Sequence, residues 1–246
     1  MIDPVVLIEL TNLKAADKLE ELAQHPQIGM KPEWMDELAR NKAWPIRSAL
    51  AFNPAISANT ELVSRISKDR SKNVRTSLAS NPAIASYPQI VELLAIDESP
   101  TVRRSLASNP SLANHPEVIQ KLSEDENSDV RQELALNPSL ANHPEIIERL
   151  SVDKDPFVLI CLAQNAATAN SSEGIQALAA DKDWVVRANL ATNPAIASCP
   201  EVVGQLSTDK TWIVRYNLSQ NPAIPSSTAI ANSWQTAQQT TQVPSI

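Results

Sequence analysis

A nine-residue segment, Val-Arg-x-x-Leu-Ala-x-Asn-Pro, recurs every 28 residues along this chain with small variations. Self-similarity at a fixed period is the sequence signature of a solenoid, in which each repeat buries its apolar side against its neighbours. The sequence therefore predicts an all-α solenoid of about eight repeats. The seven clear copies begin at Ile46, Val74, Val102, Val130, Val158, Val186 and Val214.

The first helix of each repeat has a predicted start and end. Ser99 and its equivalents are good N-cap residues, because their side-chain oxygens accept hydrogen bonds from free backbone N–H groups. Val102 and Leu106 then share one helix face, and Asn109-Pro110 ends the helix because a residue before proline avoids helical backbone angles. The equivalents of Ser99 are Ser71, Asn127, Asp155, Asp183 and Thr211, with Ala43 as the exception.

A second helix has its own predicted start. Asn114-x-x-Glu117 has the form of a capping box, and Val118, Ile119 and Leu122 follow at helical spacing. Each repeat should therefore hold two helices of about 8 to 10 residues, which are marginal alone in water and need stacking for stability. The same capping box is predicted at Ser86, Asn142, Asn170 and Ser198.

The repeat frame covers most of the chain and predicts a single domain over residues 1–236. Atypical copies at 1–45 and 223–236 are expected to cap the ends, where a solenoid must shield its last apolar faces. Residues 237–246 lack periodicity and are expected to form a flexible tail.

The repeats resemble a known class of helical proteins. Asp97-x-x-x-x-Val-Arg103 and its copies resemble the signature of HEAT repeats, and the Val-Arg-x-x-Leu-Ala-x-Asn-Pro block resembles the bacterial leucine-rich repeat variant family. The resemblance implies a right-handed, armadillo-like superhelix. The 28-residue period is longer than that family's usual repeat and implies a fuller second α-helix. Some members of the family carry a cysteine-ligated iron–sulfur cluster, which this chain, with two cysteines, is not expected to hold.

The formal net charge of -7 is concentrated in the middle of the chain. Residues 88–155 hold 13 acidic and 6 basic side chains, whereas the segments before and after are close to neutral. This distribution disfavours a nucleic-acid groove there, since nucleic-acid affinity depends on Lys and Arg. No stretch approaches the length of a membrane span, and we expect a cytoplasmic protein without a membrane partner.

Columns that recur in every repeat are interpreted as structure, because a functional site occurs once. The Asn column at Asn109 and its equivalents is expected to satisfy backbone groups at the turn. The Asp–Arg columns are expected to pair charges between adjacent repeats. The fifth repeat departs from the pattern with Leu159 in place of Arg and Gly174 inside its second helix, so Asp153 should lack its Arg and the packing should be looser.

Two groups of residues are candidate partner-binding sites. One is a mixed but net acidic strip on the second helices, which should steer a basic partner. The other is aromatic, because adjacent exposed rings are typical interface anchors; covering the junction with the preceding repeat is the alternative role for these rings. The strip contains Glu92, Glu117, Gln120, Lys121, Glu145, Glu148 and Arg149; the aromatic group contains Trp184, Trp212 and Tyr216.

Other chemistry has little support in the sequence. His115 and His143 occupy equivalent positions of adjacent repeats and are interpreted as surface residues rather than metal ligands. His25 replaces the column Asn and is interpreted as a cap. No catalytic grouping, phosphate loop or zinc spacing is present, so no catalytic residue, cofactor or metal is predicted.

These observations favour a non-catalytic scaffold that binds a protein partner through an extended helical surface. A HEAT-like nucleic-acid-binding protein and a HEAT-like enzyme such as a lyase are the alternatives. The first would need a basic stripe, and the second a pocket with converging titratable groups. The sequence does not indicate an oligomeric state.

Overall fold

The structure, a computed structural model, describes residues 16–224, and every regular element in that range is a helix. Of the predicted caps at 1–45 and 223–236, residues 1–15 and 225–236 lie outside the described residues, as does the predicted tail at 237–246. The chain divides into two compact units, Met1–Leu122 and Ser123–Ile246, which we describe separately.

Each fully described repeat contains three helices in the order α-helix, 3₁₀ helix, α-helix, and the last repeat is described only through its first helix. In the first unit, where α8 ends at the boundary, they are α1 (Ala16–Gln24), η1 (Pro26–Met30), α2 (Pro32–Ala39), α3 (Trp44–Phe52), η2 (Pro54–Ala58), α4 (Thr60–Ile66), α5 (Lys72–Ala79), η3 (Pro82–Ser86), α6 (Pro88–Ala95), α7 (Pro100–Ala107), η4 (Pro110–Asn114) and α8 (Pro116–Ser123). In the second they are α9 (Ser128–Leu136), η5 (Pro138–Asn142), α10 (Pro144–Leu150), α11 (Pro156–Gln164), η6 (Ala166–Asn170), α12 (Ser172–Ala179), α13 (Trp184–Thr192), η7 (Pro194–Ser198), α14 (Pro200–Ser207) and α15 (Trp212–Ser219).

The predicted first helices are confirmed, and the 3₁₀ helix adds to the two-helix repeat that we expected. Asn109 ends α7 in an extended conformation, with φ of -73° and ψ of 118°. Pro110 then starts η4, since its fixed φ suits a first helical position and its missing N–H is not needed there. The segment that the sequence indicated as a turn is therefore a short helix in all seven repeats in which it is fully described, from Pro26–Met30 to Pro194–Ser198.

The predicted capping boxes of the second helices are wrong by one residue. Ser86 is the last residue of η3, and α6 begins at Pro88 after Tyr87, whose side chain makes no cap hydrogen bond. Proline determines where the helix starts, because its φ is already fixed at a helical value and its missing N–H is not needed at the first helical position. In the fifth repeat, which lacks this proline, Ser171 and not Asn170 caps α12 by accepting from the Gly174 N–H.

The N-cap column of the first helices lies where the sequence predicts it, but its members act differently. Asp155, Asp183 and Asn127 each accept a hydrogen bond from the backbone N–H two residues later. Ser71, Ser99 and Thr211 occupy the same position without a side-chain cap hydrogen bond.

Like elements of adjacent repeats pack together within each unit. First helices pack on first helices (α3 on α5 and α13 on α15, for example), and 3₁₀ helices pack on 3₁₀ helices. Val102 and Leu106 on the first helix are buried, and so are Val118, Ile119 and Leu122 on the second, as the predicted apolar stripes require. The resulting layers present the remaining face of each helix outward.

The Asn column joins successive repeats through buried hydrogen bonds. The Asn81 amide donates to the carbonyl oxygens of Ala51 and Asn53 in the preceding repeat, at 2.9 and 3.1 Å. Its own Oδ1 accepts from the Ala83 N–H at 3.0 Å and so caps η3. Asn53, Asn109, Asn165, Asn193 and Asn221 make the same three bonds. The predicted structural role of this column is confirmed.

We predict that Asn81→Asp lowers the free energy of unfolding by about 1–3 kcal/mol. The isosteric change keeps the cap acceptor but takes the amide donor from the buried Ala51 carbonyl and leaves the Asn53 carbonyl only its bond from the Ile56 N–H. Chemical denaturation measures it. Asn73→Asp, at an exposed position in the first turn of α5, is the control and should change stability by less than about 0.5 kcal/mol. Equal effects of the two substitutions would contradict the role of the Asn column.

Gly174 does not loosen the fifth repeat as the sequence suggested. This glycine is buried in α12, and a Cβ there would lie 2.8 Å from Ile147 Cγ2 and 3.0 Å from Ser171 Oγ. Glycine therefore permits the close approach of α12 to α10. The neighbouring Thr168, which replaces an apolar residue, is completely buried and donates its hydroxyl to the Leu162 carbonyl.

We predict that Gly174→Ala destabilises the protein by about 1–3 kcal/mol despite alanine's higher helix propensity, because the methyl group overpacks the contact with Ile147. Gly204→Ala, in α14, is the matched control: no atom lies within 4 Å of its Cβ position. That substitution should stabilise by up to about 1 kcal/mol. Thermal unfolding of both variants tests the prediction, and stabilisation by Gly174→Ala would refute it.

Candidate protein-binding surfaces

The Asp–Arg columns form buried ion pairs between repeats. Arg47 Nε and Nη2 donate to the two carboxylate oxygens of Asp69, at 2.6 and 2.8 Å, and Nη1 donates to the Asn41 carbonyl at 2.7 Å. The partner Asp is in the next repeat, so each pair joins neighbours as predicted. Equivalent pairs are Arg75–Asp97, Arg131–Asp153 and Arg187–Asp209.

Two of these pairs lower the pKa of their carboxyl group, those of Asp209 and Asp69. Burial acts to raise the pKa of Asp209, but the hydrogen bonds from Arg187 and from the Thr211 N–H, together with the Arg187 charge, outweigh it, so the pKa lies below the ordinary 3.8. Asp69 has a lowered pKa for the same reasons, with Arg47 and Ser71 as its partners. These groups have a structural role, because their hydrogen bonds join adjacent repeats and hold the turns before the first helices.

The missing Arg of the fifth repeat affects a different aspartate from the one that we predicted. Asp153 pairs with Arg131 of the fourth repeat, so the expectation that Asp153 lacks an Arg is wrong. The pairing runs forward along the chain, and Leu159 therefore deprives Asp181 of its partner. Asp181 accepts from the Asp183 N–H at 2.7 Å, and no described cation forms an ion pair with it.

We predict that Asp209→Asn costs about 1.5–3 kcal/mol of stability, as for a charged hydrogen-bonded group, whereas Asp181→Asn costs less than about 0.5 kcal/mol. The Asp209 contribution should depend on pH. Because its folded pKa is depressed, the contribution is present above pH 3.8 and is lost as pH falls through the folded value. Urea denaturation from neutral to acid pH tests this, and an Asp209→Asn effect that persists undiminished at the acid end would contradict it.

His115 and His143, which directly precede the second helices of their repeats, are buried, so the expectation that they lie on the surface is wrong. His115 Nε2 lies 3.1 Å from the Ala85 carbonyl oxygen of the preceding repeat. Tyr87, in the same column, donates its hydroxyl to the Ser57 carbonyl. His143 is also buried, with its Nδ1 3.2 Å from Glu145 Oε1. This column thus contributes inter-repeat contacts, and residues 19–224 contain no group of three His, Cys, Asp or Glu side chains that could hold a metal.

The first unit brings part of the predicted acidic strip together in an open groove. This groove, of about 490 Å³, lies between α6 and α8. Glu92 from α6 and Glu117 and Lys121 from α8 line it, and all three side chains are exposed. Neither carboxylate forms an ion pair with another described residue. Gln120, on the same helix, is half-buried and does not line the groove.

Apolar side chains complete this groove, which we call the α6–α8 groove. Leu93, Ala95 and Val118 contribute to its lining, together with Ile96, which is 59% exposed just beyond the end of α6. Sequence reasoning missed Ile96 because its column is variable, with Lys68, Glu124, Val152, Ala180 and Thr208 in other repeats. The column therefore gave no signal that Ile96 lines a groove.

The acidic residues of the second unit are engaged locally. Glu148 Oε1 lies 3.4 Å from Ser171 Oγ, and Glu145 contacts His143. Arg149 pairs with Glu124 at 2.6 Å. These side chains are exposed, but their charges are partly compensated, so a strip continuous from Glu92 to Arg149 stays a prediction.

The aromatic candidates are solvent-exposed in the second unit. Trp184 is 42% exposed at the start of α13, and Trp212 is 59% exposed at the start of α15. The Trp212 and Tyr216 rings lie 6.3 Å apart between centroids, tilted by 59°. Rings that covered a junction would be mostly buried, and this degree of exposure favours a surface role.

Solved structures show where this fold occurs elsewhere. The chain is similar to a leucine-rich repeat variant with a novel repetitive structural motif, at 20% identity over 83% of this chain and 82% of that one, with a TM-score of 0.49. It is similar to YibA of Escherichia coli at 15% identity over 97% of each chain, with a TM-score of 0.52. No protein-family model and no curated protein matches the sequence.

At sequence identities of 20% and 15%, these similarities concern the fold alone.

Among residues 16–224, no helix has the length and apolar character needed to cross a membrane. The predicted helical-repeat fold is confirmed by the described helices and their packing, and it is shared with YibA.

Proposed function

We propose that this chain is a non-catalytic, cytoplasmic protein-binding scaffold, and that its α6–α8 groove binds a partner segment with an apolar side chain flanked by basic residues. The groove's combination of an apolar lining and unpaired carboxylates is the observation that carries the proposal. The Asn hydrogen bonds and the Asp–Arg ion pairs hold the helices in place. The residues on the outward helix faces differ from one repeat to the next.

Size and shape support an inserted side chain. A volume of about 490 Å³ is within the range of binding clefts. Ile96 loses its exposed area when an apolar group enters, and burial of apolar surface contributes about 25 cal/mol per Å². A leucine or phenylalanine of the partner suits this lining.

The carboxylates of the groove determine which residues should flank the apolar side chain of the partner. Glu92 and Glu117 stand on opposite helices of the groove, so a Lys or Arg on either side of the apolar group finds a carboxylate. Complementary charge at an interface raises the association rate more than the affinity. Lys121 adds one positive charge, which suits an acidic or carbonyl group of the same segment.

We predict that a fluorescein-labelled peptide with Leu-Phe flanked by Lys and Arg binds the chain, and that Glu92→Lys with Glu117→Lys slows its association at least about tenfold at low salt. Stopped-flow fluorescence measures the rates. The matched control is Glu173→Lys with Glu201→Lys, which makes the same charge change on α12 and α14, outside the groove.

The proposal fails if the chain binds a peptide with Glu flanks as well as the one with Lys and Arg flanks. It also fails if the control variant slows association as much as the groove variant. Ile96→Asn adds a separate check, because it removes the apolar contact without changing the charge of the groove and should weaken equilibrium binding with the salt dependence of the wild type.

The nucleic-acid and enzyme alternatives have less support. The groove presents two carboxylates and one lysine, whereas phosphate binding requires clustered cations. A lyase would need titratable groups converging in a cleft, and the described carboxylates with lowered pKa belong mainly to inter-repeat ion pairs and caps.

A further inference from the structure

A second surface, in the other unit, has a different chemistry. The first helices α11, α13 and α15 pack side by side. Their outward positions hold Phe157, Trp184, Trp212 and Tyr216, all exposed, and we call this set the aromatic face. Five further, half-buried positions of these helices are uncharged: Ile160, Val185, Asn189, Ile213 and Asn217. The one half-buried charged side chain on them, Arg215 of α15, donates its Nη1 to the Asp209 carbonyl.

This lack of charge is local. The first helices of earlier repeats present Lys72 on α5, Arg104 on α7 and Asp129 on α9 at outward positions. The aromatic face has charges at its edge, where Lys182 and Lys210 precede the helix starts. An uncharged aromatic centre with a charged rim is the anatomy of a protein interface.

We propose that the aromatic face binds an uncharged, proline-rich extended segment of a partner protein. A charged segment would lose hydration without gaining a counter-charge. Proline rings bring apolar surface at low entropy cost, and aromatic-lined surfaces are their usual docking sites.

Spacing favours this occupant. Trp184 and Trp212 occupy the same position of adjacent packed helices, and such helix axes lie roughly 8–10 Å apart. A polyproline II helix has three residues per turn and a rise of about 3.1 Å per residue, so it repeats about every 9 Å. Prolines three residues apart therefore meet successive tryptophans.

Hydrogen bonding favours the same occupant over a helix. Neither indole N–H donates to another described residue. A polyproline II segment has no internal hydrogen bonds and offers carbonyl oxygens along its length, whereas an α-helix uses its carbonyls internally. The tryptophans can then donate to the ligand backbone while their rings contact proline.

The experiment uses the full chain and a fluorescein-labelled, uncharged peptide of Pro, Leu and Ala with proline at every third position. We expect binding that Trp184→Ala with Trp212→Ala weakens at least about thirtyfold, as for hot-spot residues. Trp44→Ala is the matched control: Trp44 occupies the same column in the first unit and is 46% exposed. This substitution should change affinity less than about twofold.

Peptide variants test the register without altering the protein. Proline at every fourth position, or alanine in place of each proline, should weaken binding at least about tenfold. Equal binding of the third- and fourth-position peptides, no binding of either, or tighter binding of an uncharged amphipathic helix overturns the proposal. So does dimerisation of the wild-type chain that the double Trp variant abolishes, since the occupant would then be a second copy.

This surface is independent of the α6–α8 groove. The double Trp variant should bind the Lys- and Arg-flanked peptide with the wild-type rate constant, and the groove variant should bind the proline peptide normally. If peptide binding fails at one surface, binding at the other can still be measured.

Discussion

The buried asparagine at the end of each first helix is the contact on which the described stacks depend. It caps the 3₁₀ helix of its own repeat and donates to two carbonyl oxygens of the preceding repeat. The Ala51 carbonyl lies in the last turn of α3, where intrahelical donors run out, and leaving it unpaired in the interior would be costly. The Asn53 carbonyl also accepts from the Ile56 N–H of η2. One side chain thus ends a helix, starts another and joins two repeats, which explains why all seven copies hold asparagine.

The 28-residue frame made the fold predictable at the level of repeats. The first helices, their N-cap positions and the pairing of Asp and Arg columns between neighbours followed from the sequence because each recurs in register. The 3₁₀ helix did not, since Asn-Pro indicates the end of a helix as readily as the start of a short one. The direction of the ion pairs was also hidden: a pairing of Arg187 with Asp181 or with Asp209 fits the same spacing, and only the packing decides.

The binding surfaces could be predicted in part, because they consist of residues that break the repeat pattern. Trp184 and Trp212 were visible as aromatic residues in a variable column. The α6–α8 groove was less visible, since it arises from the space between two helices and includes Ile96 from the turn after α6. Residues that recur serve the stack, and residues that differ between repeats give each unit a distinct outer chemistry: carboxylates around an apolar groove in the first, uncharged aromatic rings in the second.

Amide hydrogen exchange tests the central role of the asparagines most directly. The N–H groups of Ala55, Ala83 and Ala195 lie in the first turn of five-residue 3₁₀ helices, and each donates to an asparagine side chain. First-turn amides of so short a helix would normally exchange quickly. If the asparagines hold the repeats together, these amides should exchange as slowly as those in the middle of α5 and α13. Exchange at the rate of exposed, unbonded amides would contradict the account.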